Sequence, residues 1–324
     1  MRPLRLGFCD HYAGFEPRGN RIWKALSSRY RLELTDDLSK TDLLVFGDFS
    51  TRHWSYGGKK VYLTGENMLP DFDQCDLAFT PTESSDEPRA VRLPLYAQVL
   101  DNADPLLRPA GYDATRHLDR PGFCSFVVSN PISRIRNRIF KTLHRRRAVA
   151  SGGRHFNNTG GPVPDKDAFL RGYRFNIACE NSDSPGYITE KLVDPILAGS
   201  IPIYWGAPDV SRDFDPRCMI NVSDYGSLDD LASAVLRTDA DPEARRRLLE
   251  APVFLGNRPP ACMTDEHVAG PLVDLIENRR PSPRRIRERR IREHVKEAQG
   301  PFAYKRDKII CKMESFFWKL GWHR

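Results

Sequence analysis

The chain has little that would place it among disulfide-rich, zinc-binding or membrane-spanning proteins. Its seven cysteines are scattered and never occur as C-x-x-C, so the pattern predicts neither a disulfide framework nor a zinc site. No stretch approaches the ~20 apolar residues of a spanning helix, and the first residues predict a strand rather than a signal-peptide core. We therefore expect a cytoplasmic protein, and its 324 residues suffice for two domains of ordinary size.

Positive charge is distributed unevenly along the chain, whose net charge is +7. Residues 279–324 contain 15 Lys and Arg against 5 Asp and Glu, a charge of +10, so the rest of the chain carries −3. A basic C-terminal segment that follows a slightly acidic chain favours two hypotheses. It indicates either contact with an anionic membrane surface or a non-catalytic binder that uses its tail to hold a membrane or nucleic acid.

Short apolar strands and helical patterns alternate along the first 278 residues. A segment rich in Pro, Asp and Gly, residues 101–121, indicates a link between two domains. Pro195 lies inside one predicted helix and predicts that this helix is short or bent. The predicted strands are Leu4–Cys9, Leu43–Phe46, Lys60–Thr64, Leu77–Thr80, Val91–Leu95, Phe123–Val128, Phe175–Cys179 and Ile201–Trp205, and the predicted helices are Arg21–Ser28, Arg134–Arg145, Lys166–Tyr173, Glu190–Ala198 and Leu228–Leu236.

Strands that alternate with helices predict α/β domains with parallel sheets. Two such Rossmann-like domains facing one cleft form the GT-B architecture, which we expect here together with a basic C-terminal helical tail. We expect an N-terminal domain over residues 1–115, a C-terminal domain over 116–278 and the tail over 279–324.

The most informative stretch joins a buried strand, Phe175–Cys179, through a polar loop to a helix that starts after Thr189. A helix N-terminus offers free N–H groups and a positive dipole end, which together favour a phosphate ligand. Lys191 adds a positive charge in the first turn, and Glu190 adds a carboxylate suited to the two hydroxyls of a ribose. This combination predicts a site for a nucleotide diphosphate.

A second carboxylate, Glu66, follows the predicted strand Lys60–Thr64 after a single glycine. This position puts it at the carboxyl edge of a parallel sheet, where open α/β sheets bind ligands. A carboxylate is also a suitable general base for a sugar hydroxyl. No D-x-D motif directly follows a predicted strand, so we expect Arg, Lys and helix ends, rather than a metal, to stabilise a departing diphosphate.

These segments resemble the α1,3/α1,4-fucosyltransferases, glycosyltransferase family ten. The family patterns F-N-x-x-F-E-N-S, G-Y-x-T-E-K and I-P-x-x-x-G are similar to residues 175–182, 186–191 and 201–206. The family's T-G-E-N matches residues 64–67, and its V-S-N with a later R-N matches residues 128–137. Cys179 stands where the family usually has Phe, and we expect a packing change there.

The resemblance implies a role for each matching residue. It implies that Glu66 is the catalytic base and that Arg136 and Lys191 contact the diphosphate, although Arg134 and Arg138 flank Arg136 and could take its place. It further implies donor contacts for Glu190, Asn181 and Tyr187, a structural role for Glu180, and a glycine-rich loop with Gly160 and Gly161 at the donor site.

The implied activity is inverting α1,3-transfer of L-fucose from GDP-fucose to an N-acetylglucosamine unit. The acceptor would be a surface glycan of the N-acetyllactosamine or lipopolysaccharide type, as in Lewis antigens. No cofactor is expected, and a divalent metal would at most stimulate the reaction. Another GDP-sugar donor and an α1,4 linkage remain alternatives.

The tail carries its own prediction. Residues 309–320 place apolar side chains at helical spacing with lysines between them, the pattern of a helix lying in an anionic membrane surface. We expect residues 284–322 to hold the protein on the inner face of the cytoplasmic membrane, with no nucleic-acid partner. The alternative is that this helix packs back on the N-terminal domain.

Overall fold

The computed structural model describes residues 3–82 and 87–277. The predicted tail, its membrane contact and its basic helix lie outside these residues. The described strands are β1 (Leu4–Cys9), β2 (Leu32–Leu34), β3 (Leu43–Phe46), β4 (Lys59–Leu63), β5 (Leu77–Thr80), β6 (Ala90–Arg92), β7 (Gly122–Phe126), β8 (Val149–Ser151), β9 (Tyr173–Cys179), β10 (Ile201–Trp205) and β11 (Ile220–Asn221).

Helices connect these strands. They are α1 (Arg21–Ser27), α2 (Leu95–Val99), α3 (Arg134–Arg146), α4 (Lys166–Leu170), α5 (Glu190–Ala198), α6 (Leu228–Ala240), α7 (Pro242–Glu250) and α8 (Asp265–Glu277). Within the described residues, no helix combines the length and the apolar character needed to cross a membrane.

The described chain divides into two compact units. Unit 1 contains residues 3–82, 87–103, 185–187 and 259–277, and unit 2 contains residues 104–184 and 188–258. The division falls near residue 103 rather than near residue 115. The reason lies in the segment that was predicted to be a link, because Leu106, Ala114 and Leu118 are buried and the last two belong to the core of unit 2.

Unit 1 is built on a six-stranded parallel sheet in the order β2-β1-β3-β4-β5-β6. Every residue of the central strand β3 is buried, as expected for a strand covered on both faces. Helix α8 returns to pack against α1. The ammonium of Lys59 donates to the carbonyls of Leu275 and Ile276, so it satisfies the last turn of α8.

Unit 2 is built on a five-stranded parallel sheet in the order β11-β10-β9-β7-β8. The core on one side of β9 joins Phe175, Ile177 and Cys179 to apolar residues of α3 and α6. Helix α5 is unbroken over its nine residues and passes through Pro195. It ends at Gly199, whose φ of 74° lies in the left-handed region and lets its N–H donate back to Ile196 O.

Several predicted elements end at other residues in the structure, and the helix expected over Leu228–Leu236, for example, continues to Ala240. The helix expected over Lys166–Tyr173 stops at Leu170, and Tyr173 already opens β9. The strand expected over Val91–Leu95 stops at Arg92, because Pro94 caps the short helix α2 that starts at Leu95.

Candidate functional site

The N-terminus of α5 in unit 2 is organised by a buried carboxylate. Glu180 directly follows β9, is fully buried, and accepts hydrogen bonds of 2.8 Å from both the N–H and the hydroxyl of Thr189. Thr189 is in turn the N-cap of α5, and its Oγ1 accepts from Lys191 N at 3.3 Å. Burial raises the pKa of Glu180. Glu180 therefore acts as a structural anchor that fixes where α5 begins.

The strand after α5 is followed by a glycine for a steric reason. Gly206 follows β10, and a Cβ atom at this position would lie 2.5 Å from Cγ of Glu180 and 2.6 Å from the hydroxyl of Tyr204. That hydroxyl also accepts from Ala207 N at 3.0 Å. Only a residue without a side chain lets β10 end against the Glu180 anchor.

Lys191 and Glu190 form the charged face of this helix end. The Lys191 ammonium lies 3.0 Å from Thr189 Oγ1, 3.3 Å from Glu190 Oε1 and 3.5 Å from Glu180 Oε2, and its side chain remains 22% exposed. Burial pushes the pKa of Glu190 up, but the charges of Lys191 and Lys166 together with hydrogen bonds outweigh it, so the pKa is lowered and the carboxylate is ionised. A cation at a helix N-terminus can meet a diphosphate, and the carboxylate can accept from hydroxyls.

Arg136 lies beneath this region instead of facing solvent. It is fully buried on α3, and its Nη1 donates to Asn181 Oδ1 at 2.9 Å and to Cys179 O at 3.4 Å. Its Nη2 donates to Asn130 O at 2.5 Å. In this structure Arg136 positions the loop that carries Asn181, and its contact with a diphosphate stays a prediction.

The glycine-rich loop after β8 is held by its own side chains. Asn157 donates to Gly153 O at 2.7 Å and to Gly161 O at 2.9 Å, and it accepts from Gly161 N at 2.9 Å. Gly160 and Gly161 have φ values of 84° and 149°, which strain any other residue. No atom lies within 4 Å of a Cβ at either glycine, so their backbone conformation, not crowding, requires them.

Sequence reasoning missed a buried histidine, His155, in this loop. His155 Nε2 donates to Asn137 Oδ1 at 2.8 Å, and the ring stacks on Phe156. Burial, with the nearby charges of Arg136 and Lys141, lowers its pKa to about 3. The ring is therefore neutral at physiological pH.

Unit 1 has a separate cavity of about 370 Å³ at the carboxyl ends of β1, β3 and β4. Glu66 lines it as predicted from its place after a strand, and its side chain is exposed. Its N–H donates to Thr64 Oγ1 at 3.0 Å. The other polar and aromatic lining residues include His11, Tyr12, Phe15, Asp48, Phe49, Thr64 and Gln98.

The rim of this cavity is unusually apolar. Tyr12 and Phe49 are 57% and 59% exposed, and their rings meet edge to face with centroids 6.2 Å apart. Val99, 53% exposed, lines the same cavity. Exposed apolar side chains that gather at a concave site indicate a binding surface. Sequence reasoning missed these residues, although those that directly follow β1 and β3 share the sheet edge where Glu66 was placed.

A buried pair supports the loop that carries Tyr12. Asp10, in a left-handed conformation with φ of 60°, accepts from the N–H groups of Arg52 and His53 and from His53 Nδ1 at 2.6 Å. This pair ties the loop after β1 to the short helical turn after β3. It gives the cavity wall a fixed backbone.

Tyr187 belongs to unit 1 together with Pro185 and Gly186. It is 3% exposed. Gly186 has φ of 71°, and a Cβ there would lie 2.4 Å from Pro81 O, which explains the glycine before Tyr187. The predicted site residues are thus divided, with Glu66 and Tyr187 in unit 1 and the others in unit 2. In the described part of the chain, no group of three or more His, Cys, Asp or Glu residues is arranged to hold a metal ion.

Comparison with known proteins adds independent information. The model of the α-(1,3)-fucosyltransferase FucT N-terminal domain matches residues 6–99, and that of the glycosyltransferase family 10 (fucosyltransferase) C-terminal part matches residues 119–250. The α-(1,3)-fucosyltransferase FucT of Helicobacter pylori is 32% identical over 265 residues, which cover 70% of this chain and 55% of that protein. The chain therefore spans about half the length of this relative.

Solved structures show the same relationship. A crystal structure of an α1,3-fucosyltransferase with GDP-fucose matches with a TM-score of 0.72 and 26% identity, covering 86% of this chain and 92% of that one. The structure with GDP matches with a TM-score of 0.71 and 27% identity over 87% and 92%. The fold is thus α/β of the GT-B type, as predicted. With both family models matched over most of its described length, the chain belongs to the family 10 fucosyltransferases.

Proposed function

We propose that this chain is an inverting α1,3-fucosyltransferase that moves L-fucose from GDP-fucose to an N-acetylglucosamine unit of a surface glycan. The observation that carries the proposal is the N-terminus of α5, where Lys191, an ionised Glu190 and the anchored Thr189 cap meet. The likeness to a fucosyltransferase structure with GDP-fucose supports this donor. The names of the relatives support the α1,3 linkage.

The proposed reaction is a single displacement at the anomeric carbon of fucose. The carboxylate of Glu66 takes the proton of the acceptor hydroxyl while its oxygen forms the new bond to that carbon. The old bond to GDP breaks, and the diphosphate leaves with the electron pair. Lys191 and the dipole of α5 stabilise the charge that develops on the diphosphate. Glu190 holds the ribose, Asn181 and Tyr187 hold the nucleotide or sugar, and Gly160 and Gly161 border the donor.

The cavity of unit 1 supports a carbohydrate acceptor. A pyranose ring has an apolar C–H face that fits against an aromatic side chain, and Tyr12 and Phe49 expose such surfaces at the rim. Gln98 and Glu66 provide polar groups in the same cavity for the hydroxyls of a sugar. Few polar groups in a mainly apolar concave site are typical of small-ligand recognition.

Two further parts of the proposal concern the cofactor requirement and the location of the enzyme. The reaction needs no cofactor, and a divalent metal at most stimulates it, because Lys191 and the helix end carry the leaving-group charge. Residues 284–322 hold the enzyme on the cytoplasmic face of the membrane. Comparing transfer and vesicle binding of the full chain with those of a chain ending at residue 278 tests this second part. Loss of vesicle binding with retained transfer is the expected result.

Donor choice is the experiment that tests the proposal. Binding of GDP-fucose, GDP-mannose and GDP is measured by calorimetry, and GDP release is then followed with N-acetyllactosamine and a panel of glycans. We expect preferential binding of GDP-fucose and acceptor-dependent release, with α1,3-linked product on the N-acetylglucosamine. Preference for another GDP-sugar, or an α1,4 product, would identify the alternative donor or linkage.

A further inference from the structure

Asp48 lies two residues after β3 and holds two hydroxyl groups of the neighbouring segment. Its Oδ1 accepts from the hydroxyl of Tyr62 on β4, and its Oδ2 accepts from Oγ1 of Thr64, the residue after β4. The Thr64 hydroxyl has one proton, so donating it to Asp48 directs the oxygen lone pairs elsewhere. One of them receives the N–H of Glu66 at 3.0 Å. A continuous chain of hydrogen bonds thus runs from Asp48 through Thr64 to the peptide of Glu66.

Thr64 is a firm link in that chain. It is 3% exposed, its N–H donates to Phe79 O at 3.2 Å, and its carbonyl accepts from Gln98 Nε2 at 2.8 Å. All of its polar atoms are therefore engaged in directed bonds. A group bonded to Thr64 Oγ1 inherits this fixed geometry.

The position of Glu66 explains why fixed backbone geometry matters for this residue. It follows Gly65 on a loop, and its exposed side chain lines the cavity. A base that must reach a hydroxyl within hydrogen-bond distance loses rate when its backbone shifts, and a displacement of about 1 Å can cost about 100-fold. A site on a loop therefore depends on the residues that support it.

We propose that Asp48 is a positioning residue for Glu66, acting through the hydroxyl of Thr64. This inference rests on the proposed function, in which Glu66 is the base. Asp48 accepts from the hydroxyls of Thr64 and Tyr62, and it fixes the rotation of the Thr64 hydroxyl so that its oxygen accepts from the Glu66 N–H. The carboxylate of Glu66 then projects from a defined backbone.

The test compares Thr64→Val, Thr64→Ser and Asp48→Asn with Asp73→Asn, which removes the same charge from an exposed position outside the cavity. Valine keeps the shape of threonine and lacks the hydroxyl, while serine keeps the hydroxyl. We expect Thr64→Val and Asp48→Asn to lower kcat about 10- to 100-fold with the GDP-fucose KM unchanged. Thr64→Ser restores most of kcat, and Asp73→Asn leaves it unchanged.

Double variants separate positioning through Glu66 from other effects. In the Glu66→Gln background, Asp48→Asn and Thr64→Val should cost no further residual turnover, because the group they position is already lost. Hydrogen exchange at the Glu66 amide gives a readout that needs no turnover, and Thr64→Val should accelerate it while the unfolding midpoint stays near wild type.

Each result decides a separate claim. An inactive Glu66→Gln alongside fully active Thr64→Val and Asp48→Asn would overturn the positioning role and leave the proposed function intact. Losses that add fully to that of Glu66→Gln, or unchanged exchange at the Glu66 amide in Thr64→Val, would overturn it too. Wild-type turnover in Glu66→Gln would refute Glu66 as the base, and the positioning role would fall with it.

Discussion

Replacing Gly206 by alanine perturbs the donor site of unit 2 without touching any predicted ligand contact. The new Cβ would lie 2.5 Å from Cγ of Glu180, where ordinary contacts begin at 3.4 Å. In a close-packed core the Glu180 side chain must therefore move by about 1 Å. Its two 2.8 Å bonds to Thr189 would then be stretched beyond good hydrogen-bond length.

We expect Gly206→Ala to lower the free energy of unfolding by about 1–3 kcal/mol, the usual cost of overpacking. Because Glu180 sets the start of α5 and pairs with Lys191, we also expect GDP-fucose to bind about tenfold more weakly, or about 1.4 kcal/mol. Urea unfolding and calorimetric titration measure the two effects.

Gly226→Ala is the matched control, because no atom lies within 4 Å of a Cβ at that position. It should leave both stability and GDP-fucose affinity near wild type. A Gly206→Ala protein that is as stable as this control and binds GDP-fucose equally well would refute the role given to the Glu180 anchor.

Three further changes test other parts of the site. Lys191→Met should weaken GDP-fucose binding by about 1.5–3 kcal/mol, which is the contribution of a hydrogen bond to a charged group. Calorimetry should find no loss of affinity in the control variant Lys40→Met. Equal GDP-fucose affinities of Lys191→Met and wild type would contradict the role given to Lys191. Phe49→Ala should raise the KM for the acceptor severalfold and leave the KM for GDP-fucose unchanged. Leu69→Ala, a change at an exposed residue outside the cavity, should change neither KM. An unchanged acceptor KM in Phe49→Ala would show that Phe49 does not belong to the acceptor site. His155 keeps a pKa of about 3 when folded against an ordinary 6.5, so protonation of the unfolded chain lowers stability as the pH falls below 6.5. His155→Gln should flatten this decline in urea unfolding at pH 7 and pH 5, and parallel declines would contradict the burial argument.

Local signals predicted α5 with correct bounds. Thr189 is an N-cap residue, and Gly199 takes the left-handed conformation that ends the helix. The residues next to each end of α5 therefore predict where the helix begins and ends. Strand β10 also has its predicted bounds, because its apolar run is bracketed by the glycines 199 and 206. The three-residue strand β2 was missed because its side chains are half or fully exposed and show no apolar run.

Contacts between residues distant in sequence were not predictable in the same way. The glutamate after β4 was found from its own neighbours, but the hydrogen bond of Asp48 to Thr64 joins loops sixteen residues apart and leaves no local pattern. Arg136 gives a second example, because its neighbours in sequence do not show that it is buried against the end of β9. The side on which a helix packs decides such cases, and tertiary structure sets it.

The most direct test of the central claim is acceptor-dependent release of GDP from GDP-fucose by wild type and Glu66→Gln, with N-acetyllactosamine as acceptor. The account predicts release with wild type, a loss of several orders of magnitude in Glu66→Gln, and GDP-fucose affinity that is the same in both proteins. Equal turnover in the two proteins would contradict the assignment of Glu66 as the base, and absence of GDP-fucose binding would contradict the donor assignment itself.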